Sequence, residues 1–142
     1  MSFLASKTLK NIPRIVQILR LKTAEFLTDS ITTQQLRLLY LVDQHKTNSE
    51  LAKMMFVSEA AVSKSLKMMI KQGLIKKTDS IDKRSSVLKV TPKGKKLRTK
   101  ISARLESILD LEFKKLKPFE QEELSRALDK LVEVMEKLHV NY

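Results

Sequence analysis

The chain has no cysteine and no tryptophan, and its 142 residues include only two glycines, three prolines and 5% aromatics. Without cysteine there is no disulfide, no thiolate zinc site and no thiol-based redox sensor. Sparse Gly and Pro punctuation favours long helices over many short strands and turns. Few aromatics argue against base stacking on single-stranded nucleic acid, which relies on aromatic platforms. The two histidines, His45 and His139, sit in no ligand-like cluster, so surface roles are expected of them rather than metal ligation or general-base chemistry. No apolar run is long enough for a membrane span. The start, MSFLASKTLK, is too short and too interrupted for a signal peptide, and a soluble cytoplasmic protein is expected. No nucleophile–base pair, metal cluster or glycine-rich phosphate loop is legible. An enzyme is therefore not expected, and no cofactor is called for.

What the chain does have is positive charge, +12 in total. Residues 1–48 carry net +4, residues 49–100 net +10, and residues 101–142 net −2. A solubility device would be spread along the chain. A local excess creates a field that attracts a polyanion, with nucleic acid the leading partner and an anionic membrane surface behind it. Eight of the basic residues fall in SIDKRSSVLKVTPKGKKLRTK, residues 80–100.

Hydrophobic periodicity supplies the elements. IPRIVQILRLKTAEFLT, residues 12–28, reads as a helix with Pro13 in its first turn; the first ten residues read as a separate short helix or an arm. Thr32 with Gln35, and Thr47 with Glu50, have capping-box spacing and open two further helices. Leu36, Leu39, Tyr40 and Val42 mark the buried face of the first, and Leu51, Ala52 and Met55 that of the second. Ser58 caps a fourth helix that runs to about Gln72, and Gly73 follows where a positive φ is expected. LIKKT and SVLKV form a two-stranded hairpin with a protruding loop. Thr91-Pro92 opens a fifth helix with a stripe of Leu97, Ile101, Leu105, Ile108 and Leu109, and Pro118 interrupts the chain. A last helix carries Leu124, Leu128, Leu131, Met135 and Leu138 at heptad spacing, a core stripe or a seam for a partner subunit.

At 100° per residue, Val62, Leu66, Met69 and Ile70 share one side of the fourth helix. Ala60, Lys64, Lys67 and Lys71 share the other, flanked by Ala61 and Met68. Small residues near the N-terminus and lysines beyond them suit a helix that enters a DNA major groove, although an ordinary amphipathic helix with solvated lysines has the same pattern. The short helix upstream and the basic hairpin downstream favour the DNA reading.

From Ile31 to Leu97, ITTQQLRLLYLV, NSELAKMMFVSEAAVSKSLKMMIKQGLIKK and DKRSSVLKVTPKGKKL together resemble the winged helix-turn-helix core of the MarR family of transcriptional regulators. DKRS followed by TPKG is similar to the family's wing signature, and KQGLI to the close of its recognition helix. The resemblance implies a mainly α fold with a small β-hairpin wing, the winged helix-turn-helix core being flanked by dimerisation helices. The corresponding segments are an N-terminal dimerisation region at 1–30, a DNA-binding lobe at 31–97 and C-terminal dimerisation helices at 98–142. Ser58, Ala60, Ala61, Ser63, Lys64 and Lys67 would line the recognition surface. In the wing, Arg84 would enter or border the minor groove and Asp82 would hold it, with Lys83 and Ser85 beside them. Lys76, Lys77, Lys83, Lys89 and Lys67 would meet phosphates. The implied partners are double-stranded DNA with a pseudo-palindromic operator, a second copy of the chain and a small-molecule effector, often an anionic phenolic compound. No membrane partner is implied. A dimeric, sequence-specific repressor is the leading expectation, and a sequence-indifferent architectural DNA-binding protein the alternative. Three departures stand out, the first being Lys117, which precedes Pro118 where an oxygen-bearing cap is usual. Phe56 occupies a turn position where the family commonly has Gly, and Ala60 and Ala61 replace residues that are often polar, which shifts weight toward shape readout.

Overall fold

The computed structural model describes residues 2–27, 31–44, 46–79 and 86–139. It divides into two compact units, Met1–Leu105 and Glu106–Tyr142.

The first unit opens with α1 (Phe3–Leu27). The separate N-terminal arm expected from the sequence is absent, and Pro13 lies inside the helix. The Ser2 hydroxyl accepts the Ala5 N–H at 3.1 Å, so the cap precedes Phe3, and the helix runs on through Pro13 despite the backbone hydrogen bond that Pro13 cannot make. α2 (Thr33–Leu41) begins with the complete capping box, Thr32 to Gln35 and back. A 3-10 turn at Val42–Gln44 follows, then α3 (Asn48–Met55) capped by Thr47 and α4 (Glu59–Lys71) capped by Ser58. β1 (Ile75–Asp79) and β2 (Ser86–Val90) form an antiparallel hairpin in the register Ile75↔Val90 to Asp79↔Ser86. α5 (Pro92–Phe113) starts where the Thr91 hydroxyl accepts the Gly94 N–H.

The core of this unit joins Leu36, Leu38, Leu39, Leu51, Met55, Val62, Leu66, Met69, Ile75, Val90 and Ile101. Each such side chain contributes about 1.5–3 kcal/mol when fully buried. They come from all the elements between α2 and α5, so the hairpin base and both helices of the helix-turn-helix share one anchor. One expectation fails here: Tyr40 stays half-exposed at 46% while Leu38, two residues earlier and on a different side of the helix, is fully buried.

The turn between α3 and α4 and the turn after α4 use the same closing bonds. Val57 N–H reaches the Ala52 carbonyl and Phe56 N–H the Lys53 carbonyl. Likewise Leu74 N–H reaches Met69 and Gly73 N–H reaches Ile70. Both require a left-handed residue at the same place. Gly73 has φ 75° and Phe56 has φ 55°, the sole non-glycine with positive φ among the described residues.

The second unit holds the end of α5 and α6 (Pro118–His139). Glu120 accepts the Lys117 N–H at 3.3 Å, the half of a capping box that a residue three positions on can supply when the cap itself has no side-chain oxygen. Of the heptad positions, Leu128, Leu131, Met135 and Leu138 are exposed and Leu124 is half-buried; Val132 and Val134 are exposed too.

Candidate nucleic-acid interface

α4 presents two chemically distinct sides. Val62 and Met69 are fully buried and Leu66 nearly so, while Ser58, Ala60, Lys64 and Lys67 are exposed and Ala61 and Ser63 half-buried. The helix therefore hangs from the core by one stripe and shows the opposite stripe to solvent, as its periodicity requires. The Ser58 hydroxyl accepts the Ala61 N–H at 3.1 Å, which fixes the start of the helix. Gln34 on α2 donates to the Ser65 hydroxyl at 3.3 Å and braces the helix from the side.

The hairpin register separates lysines that look equivalent in the sequence. Lys77 faces Leu88 and shares the face of the buried Ile75–Val90 pair, so it lies toward α4. It lines a cavity of about 360 Å³ with Ser63, Lys67, Lys46 and the apolar Leu66 and Val87. Lys76 and Lys89 sit directly opposite one another on the other face of the hairpin, and like charges so placed repel. Among the described residues, none of Lys64, Lys67, Lys76, Lys77 and Lys89 is in an ion pair with a carboxylate. The structure thus brings Ser63, Lys67 and Lys77 together and sets Lys76 and Lys89 apart from them. The wing residues Asp82, Lys83, Arg84 and Ser85 lie outside the described residues, as does His45.

A helix-turn-helix, a second helix with an exposed basic stripe and an adjoining antiparallel hairpin form a winged helix, and the comparisons with known proteins agree with it. A model described as MarR family matches residues 29–85. The transcriptional regulator AdcR of Streptococcus pyogenes serotype M6 is 32% identical over 103 residues, 72% of this chain and 69% of the relative. The chain belongs to the MarR family of transcriptional regulators. In fold it is similar to RV1404 from Mycobacterium tuberculosis, with a TM-score of 0.71, 19% identity and coverage of 94% of this chain and 92% of that one. It is also similar to the M. tuberculosis MarR family protein RV2887 in complex with p-aminosalicylic acid, with a TM-score of 0.69, 22% identity and coverage of 84% and 94%.

Within this MarR-family fold, contacts that the sequence did not announce tie α5 to the ends of α4 and α2. Lys93, one of the eight basic residues of 80–100, donates to the Gln72 carbonyl at 2.8 Å at the end of α4. Arg98, from the same run, donates to the Leu39 carbonyl at 2.9 Å and lies 3.4 Å from the Asp43 carboxylate. Charge periodicity cannot find such residues, because their partners are 21 to 59 positions away. Among the described residues there is no group of three or more His, Asp or Glu that could hold a metal ion, and no helix long and apolar enough to cross a membrane.

Proposed function

We propose that the protein is a dimeric, sequence-specific DNA-binding regulator that acts as a repressor and is released by a small anionic aromatic ligand. The observation that carries the DNA reading is the exposed stripe of α4, Ala60–Lys64–Lys67, continuous with Lys77 of the hairpin and without carboxylate partners among the described residues. Small residues at the helix N-terminus permit close approach to base edges, and the lysines neutralise phosphates and release counterions. Ser58, Ala60, Ala61, Ser63 and Lys64 form the reading surface, and Arg84 with Asp82 forms the minor-groove element of the wing.

Dimerisation is supported by apolar surface that each unit leaves uncovered. α1 exposes Phe3, Leu4, Leu9, Ile15, Ile18 and Leu21, and α6 exposes its heptad seam. A second copy would cover both and present two reading helices to successive major grooves of a pseudo-palindromic operator. The ligand reading rests on family relatives, one of which is described in complex with p-aminosalicylic acid. A groove between α1 and the start of α2, lined by Val16, Leu19, Arg20, Thr23 and Thr32, offers an apolar wall with one cation for such a molecule.

The deciding experiment selects bound sequences from random double-stranded DNA. It then compares the selected site with its scrambled version at near-physiological salt. Tighter binding to the selected site supports the regulator, and equal binding supports the architectural alternative that the +10 middle segment would also serve. Adding salicylate-like acids to the specific complex tests release.

A further inference from the structure

The wing's returning strand ends at Val90, whose side chain is buried while its N–H points away from β1 toward the 3-10 turn. The Asp43 carboxylate accepts that N–H through Oδ1 at 3.4 Å. Its other oxygen lies 3.4 Å from Nη1 of Arg98. The same guanidinium nitrogen donates to the Leu39 carbonyl at 2.9 Å, near the C-terminal end of α2 where carbonyls lack helical partners and a cation is favoured. The guanidinium also lies over the Tyr40 ring, 5.5 Å from its centre, and the Tyr40 hydroxyl is hydrogen-bonded to Ser102 one turn along α5. One arginine thus joins α5, the end of α2, the 3-10 turn and, through Asp43, the base of the wing.

An isolated two-stranded hairpin is marginal in water. Among the described residues this one places Ile75 and Val90, at its base, in the core, with Leu88 partly buried against it. Its angle relative to α4 must therefore be held by contacts at that base. Both Asp43 contacts are long for hydrogen bonds, so the clamp is weak enough to open locally without unfolding the core. We propose that Asp43 and Arg98 are positioning residues that set the pose of the wing, so that operator affinity depends on two side chains that make no DNA contact of their own. The affinity part of this inference rests on the DNA-binding reading above; the clamp itself does not.

The test uses the full chain and has two arms. In the first, amide hydrogen exchange is followed in the free protein for the wild type, Asp43→Ala and Arg98→Ala. Exchange at Val87–Val90 should rise roughly threefold to tenfold, the worth of about one hydrogen bond, with buried α4 amides unchanged. Unchanged exchange in β2 would overturn the clamp, as would a uniform rise across the core, which marks global destabilisation. In the second arm, affinity is measured for the selected DNA site across a salt series. Asp43→Ala deletes a negative charge, and electrostatics alone would tighten binding to a polyanion. The clamp predicts the opposite sign, a loss of about threefold to tenfold. Tighter or unaltered binding by Asp43→Ala overturns the proposal. Arg98→Ala should weaken binding with the salt slope unchanged; a slope reduced by about 1 would make Arg98 a phosphate contact instead. Should Asp43→Ala fail to fold, Asp43→Asn keeps an acceptor for Val90 and removes the ion pair, and it should show smaller changes of the same sign. A wild type that does not distinguish the selected site from scrambled DNA would defeat the regulator reading, while the exchange arm would still decide the clamp.

Discussion

Phe56→Gly should stabilise this protein. Phe56 closes α3 with φ 55° and ψ 43°, a left-handed conformation that costs an L-residue about 1–2 kcal/mol. Its ring recovers little of that, since the residue is 93% exposed; the buried remainder is worth roughly 0.2 kcal/mol on the usual scale for a phenylalanine. Glycine removes the strain but gives the unfolded chain more freedom, an offset of about 0.5–1 kcal/mol. The net gain is therefore about 0.3–0.8 kcal/mol, or roughly 1–3 °C in Tm for a chain of this size. Thermal unfolding by circular dichroism at fixed protein concentration measures it. Phe56→Ala is the control: it keeps a Cβ, hence the strain, and should leave Tm nearly unchanged. The reverse experiment sits one turn further on. Gly73 closes α4 with the same pair of bonds at φ 75°, and a Cβ there would meet only Lys93 Cδ at 3.8 Å. Gly73→Ala should therefore lose about 1 kcal/mol from backbone strain alone. If Phe56→Gly lowers Tm while Gly73→Ala leaves it unaltered, the strain argument is wrong at both turns.

Three other outcomes are expected. Gly94→Ala should destabilise by about 1–3 kcal/mol, read as a lower urea midpoint, because the added Cβ would collide with the Leu74 carbonyl oxygen and approach Val90 Cγ1 at 2.7 Å. The double variant Lys67→Ala/Lys77→Ala should lower the slope of log affinity against log salt by about 2 and weaken selected and scrambled DNA alike, since phosphate contacts position without specifying. Arg84→Ala should weaken operator binding and leave the oligomeric state, measured by sedimentation, unaltered; undiminished binding would remove Arg84 from the wing's contact set.

Much of this fold was legible because its boundaries are written in residues that act locally. Thr32, Thr47 and Ser58 each accept the N–H three positions on, as spacing alone predicts. Gly73 takes the positive φ that the end of α4 demands, and the register of the hairpin follows from burying Ile75 and Val90. Apart from Tyr40, which periodicity placed in the core and the fold leaves half-exposed, local cues misled where two of them competed. Pro13 looks like a first-turn residue, but Ser2 already caps the helix eleven positions earlier, so the arm and the first helix merge. Phe56 shows the same competition differently resolved. The turn's hydrogen bonds and the half-burial of Val57 demand a left-handed residue, and the backbone adopts that geometry although a phenylalanine stands there.

The site was legible in outline and not in detail, for a physical reason. Helical periodicity separates the exposed stripe of α4 from its buried one, and so identifies Lys64 and Lys67 without coordinates. It cannot rank the remaining basic residues, because a lysine's role depends on which face of which strand it occupies and on groups far away in sequence. Lys77 and Lys76 are neighbours in the chain, yet the pleat sends one toward α4 and the other to the opposite face, beside Lys89. Lys93 and Arg98 contribute to the same net charge as the exposed lysines of α4, but they donate to the carbonyls of Gln72 and Leu39, inside the protein's own framework. Net charge per segment therefore overstates the number of groups available to a polyanion. The salt slope counts only the cations that meet phosphates, so it should correspond to fewer than the fourteen basic residues of 49–100, with Lys93 and Arg98 among those that do not contribute.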